Sequence, residues 1–382
     1  MNANATENGT REITIQNILK AAVEDEKVSD VFLIAGLPVT MKRSGHQKRM
    51  DNVPLMPDTI QKLVDEIYRE GKREQVRLDR MEDDDFSLSM SRRETAQGIF
   101  PGGRFRVNIF RQRGSLAAVI RVIRFGLPDA EKLGIPEDVL SMADNGGGLV
   151  LVTGAAGTGK STTLACMIDR INQNRDCHII TMEDPIEYIH RHKKAIVTQR
   201  EISIDTPGYL EALRSALRES PDVIFLGEMR DFDTIYSALI AAETGVLVFS
   251  SLHTNGAADT INRIVDVFPD KEQARMQLAQ VLRAVVCQQL VPSTELDEDG
   301  NPVRIPVFEI MKVTDAINNM IRENKVNQLD AMMQSSASEG MCTMDGSLLK
   351  LYRQGRIDKV TALKYRTHYG HEYMEKRLDE MK

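Results

Sequence analysis

Gly154-Ala155-Ala156-Gly157-Thr158-Gly159-Lys160-Ser161 is the stretch on which the reading of this chain turns. An apolar run, Gly148 to Val152, leads into it, and a helical pattern, Thr162 to Ile171, leads out. Strand, glycine-rich loop, helix is the setting in which G-x-x-x-x-G-K-[ST] binds phosphate. The glycines let backbone N–H groups turn inward around an anion with no Cβ in the way. The start of the helix, with Thr162 in its first turn, adds partial positive charge. In such loops the lysine, here Lys160, reaches the β- and γ-phosphates, and the hydroxyl of Ser161 ligates Mg²⁺. The expected ligand is therefore a nucleotide with Mg²⁺.

The 382-residue chain is long for one domain and comfortable for two. Its net charge of −7 argues against a general polyanion binder, so nucleic acid is not an expected partner. Cys166, Cys177, Cys287 and Cys342 form no C-x-x-C pair. That speaks against a zinc site or a disulfide framework and fits a reducing cytoplasm. Met1 to Thr10 is polar and is expected to be disordered, without the pattern of a signal peptide. No apolar run approaches the roughly 18 residues of a membrane span, so direct insertion is not expected.

Periodicity divides the chain. Over 11–125 the expectation is a small α+β domain: helices Thr14–Val23 and Asp58–Arg69, the second capped by Asp58, and strands Asp30–Ala35, Asp85–Met90, Arg104–Phe110 and Ser115–Ile123. In the third strand Phe105, Val107 and Ile109 share one face while Arg104, Arg106 and Asn108 share the other. Arg121 lies in the fourth. Residues 126–146 read as a linker ending in Asn145-Gly146-Gly147-Gly148. From 147 onward strands at 149–153, 177–182, 222–226 and 246–251 alternate with helices at 159–173, 207–218 and 231–243. That alternation predicts a mostly parallel sheet with helices on both faces. Beyond 256 the expectation is mainly helical, beginning with Lys271–Val286 and ending in a charged tail, Gly355 to Lys382.

Three further stretches fall at predicted strand tips, where such sheets bind ligands. Glu183-Asp184-Pro185-Ile186-Glu187 puts three carboxylates in five residues, which repel one another unless positive charge is near. Val223-Ile224-Phe225-Leu226-Gly227-Glu228 is a buried strand ending in one carboxylate, with Gly227 where many phosphate-loop enzymes have Asp. Val246 to Leu252 ends in His253-Thr254-Asn255, and a histidine there can sense a phosphate or bond a carboxylate.

In their order these segments resemble the Walker A, Asp box, Walker B and His box of the secretion ATPases that drive type II secretion and type IV pili. Arg104-Phe105-Arg106-Val107-Asn108 resembles that family's small-domain motif. Ala316-Ile317-Asn318-Asn319-Met320-Ile321-Arg322-Glu323 and Gly340-Met341-Cys342-Thr343-Met344-Asp345 are similar to the signature of its twitching-motility (retraction) branch. The resemblance spans roughly residues 12–365. It implies a PAS-like α+β domain followed by a RecA-like P-loop ATPase domain with a helical C-terminal extension. It implies Glu187 as the general base, supported by Glu183 and Asp184, and Glu228, Ser161 and Glu183 at Mg²⁺. It places His253 near the γ-phosphate and makes Arg106 and Arg121 arginine fingers, since developing phosphoryl charge needs a cation. It implies a cytoplasmic homo-hexamer, peripheral to the inner membrane at the pilus base, acting on an inner-membrane platform protein. Two departures, Val246 where a histidine is usual and Asn318 where an arginine is usual, point to the accessory paralogue of the branch. The alternative they raise is a nucleotide-binding scaffold ring for a paralogous retraction ATPase.

Overall fold

A computed structural model describes residues 13–80, 82–95, 98–123, 126–298 and 300–381; the disorder expected at 1–10 lies outside them. Two compact units meet at Gly126/Leu127.

The first unit is an antiparallel sheet covered by two helices. Its strands are β1 (Val28–Leu33), β2 (Thr40–Arg43), β3 (His46–Arg49), β4 (Asp84–Met90), β5 (Arg93–Thr95), β6 (Gly98–Phe100), β7 (Gly103–Gln112) and β8 (Ser115–Ile123). Six form one sheet in the order β3-β2-β1-β8-β7-β4, and β5 and β6 form a separate ribbon. Helix Ile15–Glu24 starts where Thr14 accepts the N–H of Asn17. The second helix, Pro57–Glu70, corrects an expectation: Met56 precedes it with no side-chain cap, and Asp58 sits in its first turn. Pro57 does the starting instead, since its fixed φ suits a first helical residue. Ile18, Leu19, Ile60, Leu63 and Ile67 meet Val31, Leu33, Phe105, Val107 and Ile109 in one core. The β2–β3 hairpin was not anticipated. Its polar edge strand shows no alternation, and its turn is made by Ser44 and Gly45, both at positive φ.

The second unit is built on β9 (Gly148–Thr153), β10 (His178–Glu183), β11 (Ile196–Glu201), β12 (Val223–Leu226), β13 (Leu247–Leu252), β14 (Leu282–Leu296) and β15 (Pro302–Lys312). Their order is β11-β10-β12-β13-β9-β14-β15, and all neighbouring pairs are parallel except β14 with β15. The stretch 126–146, expected as a linker, packs into this unit from Leu127 onward: Ile135, Val139, Met142 and Ala143 join a core with Val150, Ile168 and Phe249.

The larger correction concerns the expected helix Lys271–Val286. The helix ends at Val281, and Leu282 turns to extended backbone to begin the 15-residue β14. β14 lies between β9 and β15, and its faces pack into two cores, Val285 and Cys287 in one and Ala284 and Val286 in the other, so its apolar residues do not alternate. A continuous apolar run of that kind cannot be told from a buried helix by period. The remaining C-terminal segments are helical, including Asp315–Arg322, Leu329–Ser335, Met344–Arg353, Lys359–Tyr365 and His371–Asp379.

Candidate nucleotide site

β9, β10, β12 and β13 run parallel, so their carboxyl ends converge at one edge of the sheet. The phosphate loop, the acidic segment, Glu228 and His253 follow directly from those ends. Gly154 and Gly159 are required by more than φ, although both are positive, at 142° and 89°. A Cβ on Gly154 would stand 2.3 Å from the Gln288 carbonyl oxygen, and one on Gly159 would stand 2.9 Å from Gln288 Nε2. Gln288, buried in β14, also accepts the Thr163 hydroxyl proton at 2.7 Å. β14 is thus the floor of the loop.

Lys160 is buried and donates to the carbonyls of Gly154 (2.8 Å) and Ala155 (3.0 Å). Burial holds its pKa below the usual lysine value, with Glu228 and Glu187 pulling the other way. Its ammonium is also 3.4 Å from Nδ1 of His253. An ammonium can only donate, so Nδ1 accepts and the ring proton sits on Nε2. That nitrogen lies 3.2 Å from Glu228 Oε1, and Arg230 reaches Oε2 at 2.8 Å. Lys160, His253, Glu228 and Arg230 therefore form one contact chain across the tips of β9, β13 and β12. Hydroxyls fix the Glu228 tip from the neighbouring strand: Ser250 and Ser251 donate to the carbonyls of Leu226 and Gly227, each at 2.7 Å. A side chain at 227 would meet Tyr209 Oη at 3.1 Å and the Met182 carbonyl at 3.2 Å, which accounts for the glycine there.

The three carboxylates after β10 are sorted by depth. Asp184 and Glu187 are exposed, whereas Glu183 is buried. Glu183 Oε1 accepts from Thr181 (2.7 Å) and Gln199 (3.2 Å), and the carboxylate also takes the backbone N–H of Glu187. Burial pushes its pKa up to about 7 despite these donors. Thr162 and Tyr188 join the loop helix to the acidic segment, their hydroxyls 2.9 Å apart. β11 supports the same segment: Gln199 donates to the Tyr188 carbonyl and accepts the His190 N–H, and Glu201 accepts the Ile186 N–H.

Lys160, Glu183, Glu187, Glu228 and His253 are thus gathered in the second unit. Arg106 and Arg121 belong to the first unit, where they face each other directly across β7 and β8. Arg106 makes a two-point contact with Asp85, at 3.1 and 2.7 Å, and Arg121 bonds Asp30 at 3.1 Å. Gln288, Gln199 and Glu201 were not foreseen. Gln288 sits in a strand whose period reads as helix. Gln199 and Glu201 sit in a polar edge strand, and only its place directly after an acidic loop could have singled it out.

A family model described as "Type II/IV secretion system protein" matches residues 103–358. The type IV pilus retraction ATPase PilT of Pseudomonas aeruginosa is 44% identical over 337 residues, covering 87% of this chain and 93% of that protein. The type IV pilus ATPase PilU of the same organism is 40% identical over 350 residues, covering 91% of this chain and 87% of that one. A crystal structure of the pilus retraction motor PilT with bound ADP superposes with a TM-score of 0.82 at 43% identity, covering 94% of this chain and 99% of that one.

Proposed function

The chain belongs to the type II/IV secretion system protein family, and from that premise we propose that it is an ATP-hydrolysing motor of type IV pilus retraction. The observation that carries the reading is the contact chain Lys160–His253–Glu228 on three adjacent strand tips beside the phosphate loop. It joins a phosphate-binding cation to a carboxylate through an imidazole whose two nitrogens face one each.

Backbone N–H groups of 154–162 and the Lys160 ammonium would hold the β- and γ-phosphates. Ser161 and Glu228 fit Mg²⁺, since hydroxyl and carboxylate oxygens are the hard donors a small dication takes. When bound, Mg²⁺ neutralises charge that builds on the γ-phosphoryl group. Glu183 fits Mg²⁺ less well, because it is buried and burial raises its pKa to about 7, disfavouring the charged form a dication needs. Its role is instead to anchor the Glu187 N–H. Glu187, exposed and close enough for its charge to act on Lys160, is the general base for the attacking water. Arg106 and Arg121 are the arginine fingers, and their aspartate partners, Asp85 and Asp30, keep them extended and ordered.

In this reading the chain works as a homo-hexamer in the cytoplasm at the pilus base and moves an inner-membrane platform protein. Among the described residues no helix is long and apolar enough to cross a membrane, so membrane contact would run through that partner. Val246 and Asn318 favour a second reading: an accessory ring on a paralogous retraction ATPase. Mg²⁺-dependent turnover of the purified protein tests the first reading. Lys160→Ala and Glu187→Gln should each lower it by about 100-fold or more. Turnover within twofold of the parent in both variants would remove the site from the mechanism. A monomer by light scattering in the presence of ATP would remove the ring.

A further inference from the structure

Behind the His253 loop lies a second polar cluster, remote from the phosphate loop in sequence. Its centre is Glu309 on β15, which is fully buried. One carboxylate oxygen accepts the N–H of Ala257 at 2.7 Å, and the other accepts the N–H of Met344 at 3.1 Å. Ala257 and Met344 are the first residues of helices Ala257–Asp266 and Met344–Arg353. A single buried anion therefore sits at two helix N-termini, where both dipoles favour negative charge. The fully buried Cys287 thiol also hydrogen-bonds Glu309 and accepts from Thr153, the residue before the phosphate loop, at 3.0 Å.

The counter-charge comes from the C-terminal segment. His368 Nε2 lies 3.4 Å from Glu309, and Nδ1 lies 3.2 Å from Asp330. Both ring nitrogens face carboxylates, an arrangement that suits an imidazolium with two donors. Asp345 on helix Met344–Arg353 fixes the ring's backbone by accepting the N–H groups of Thr367, His368 and Tyr369 at 2.7–2.8 Å. His368 also touches the His253 loop, since a Cβ on Gly256 would stand 3.3 Å from its ring. Thr254 is tied to helix Ala257–Asp266 through Thr260, 2.7 Å away, and Thr260 donates to the Gly256 carbonyl.

We propose that Glu309 and His368 are positioning residues for hydrolysis: buried Glu309, paired with the partly exposed His368, holds the backbone that runs from His253 into the following helix. The C-terminal segment is then part of the catalytic unit. This rests on the reading of His253 as a member of the nucleotide site. Charge on His368 is favoured by Glu309, Asp330 and Asp345, with its pKa raised to about 9 against the pull of burial. Asp259, on the helix after Gly256, acts on Asp330 and so on the same cluster. The raised pKa means that the pair is intact below neutral pH and is lost as pH climbs through about 9.

The test compares steady-state ATP hydrolysis of the full chain with that of His368→Gln across pH 7 to 10. At pH 7 kcat should fall about tenfold, in the range expected for losing a coupling residue, while KM for ATP stays within about twofold. Above pH 9 the two proteins should converge, because the parent has lost the same charge. A purely structural role would lower the melting temperature and leave kcat per folded molecule unchanged at every pH; that result overturns the proposal. If His368→Gln does not fold, Asp330→Asn keeps an acceptor oxygen for His368 Nδ1 at reduced charge and is read by the same split, with a smaller kcat loss expected. A parent protein that hydrolyses no ATP would instead count against the function proposed above.

Discussion

Gln288→Leu isolates the support that β14 gives the phosphate loop. The side chain is 3% exposed, so the near-isosteric leucine keeps the volume and removes the amide. The Thr163 hydroxyl loses its 2.7 Å acceptor in a buried setting. Leaving such a group unpaired costs about 1–3 kcal/mol, whereas the hydrogen bond itself contributes about 1 kcal/mol net. Gly159 also loses its neighbour Nε2, which frees a left-handed residue at the loop's end. Taking about 2 kcal/mol in total, the melting temperature should fall by about 4–8 °C for a unit of this size. If half of that cost falls on the loop's binding-ready conformation, the Kd for ATP should rise by about fivefold. Thermal melts and fluorescent-nucleotide titration read the two effects separately. Thr163→Val in the Gln288→Leu background should recover about 1 kcal/mol or more, since the orphan hydroxyl is gone. A double variant no more stable than Gln288→Leu, or an unchanged Kd beside a lowered melting temperature, would refute the argument that β14 organises the loop.

Two smaller predictions concern the strand tips. Gly227→Asp, which restores the commoner phosphate-loop residue, should destabilise the protein by about 1–3 kcal/mol, because its Cβ crowds Tyr209 and the Met182 carbonyl; chemical denaturation reads the loss. Glu183→Gln should gain on the parent as pH rises. The parent carboxyl has a folded pKa of about 7 against an ordinary 4.5, so its burial destabilises the fold progressively between those values and fully above them. Denaturant midpoints at pH 5 and pH 8 should therefore favour the glutamine variant more at pH 8.

The nucleotide edge was legible because its parts are local. A phosphate loop, an acidic tip and a histidine tip each follow a strand within a few residues, and parallel order then brings them together. What escaped was support from a distance. Gln288 holds Thr163 from 125 residues away, and Glu309 holds Ala257 from 52. Neither pair leaves a local pattern. The Lys271–Val286 expectation failed because a strand buried on both faces carries no period of two. The β2–β3 hairpin and β11 failed for the opposite reason, being too polar at a sheet edge to look like strands. The arginines were found on a strand face, but their pairing with Asp85 and Asp30 depends on register that sequence does not print.

The place of β14 beside β9 also bears on how the chain is made. The phosphate loop is complete by residue 161, yet the strand that floors it begins at Leu282 and its outer partner ends at Lys312. As the chain leaves the ribosome, β9 has no neighbour on that side until some 130 more residues have been synthesised. Closing so long a loop comes late and is slow. The nascent chain therefore passes through an interval with an apolar, open sheet edge, the kind of surface that invites aggregation. The first unit, whose strands pair mostly with near neighbours, has by then had time to fold.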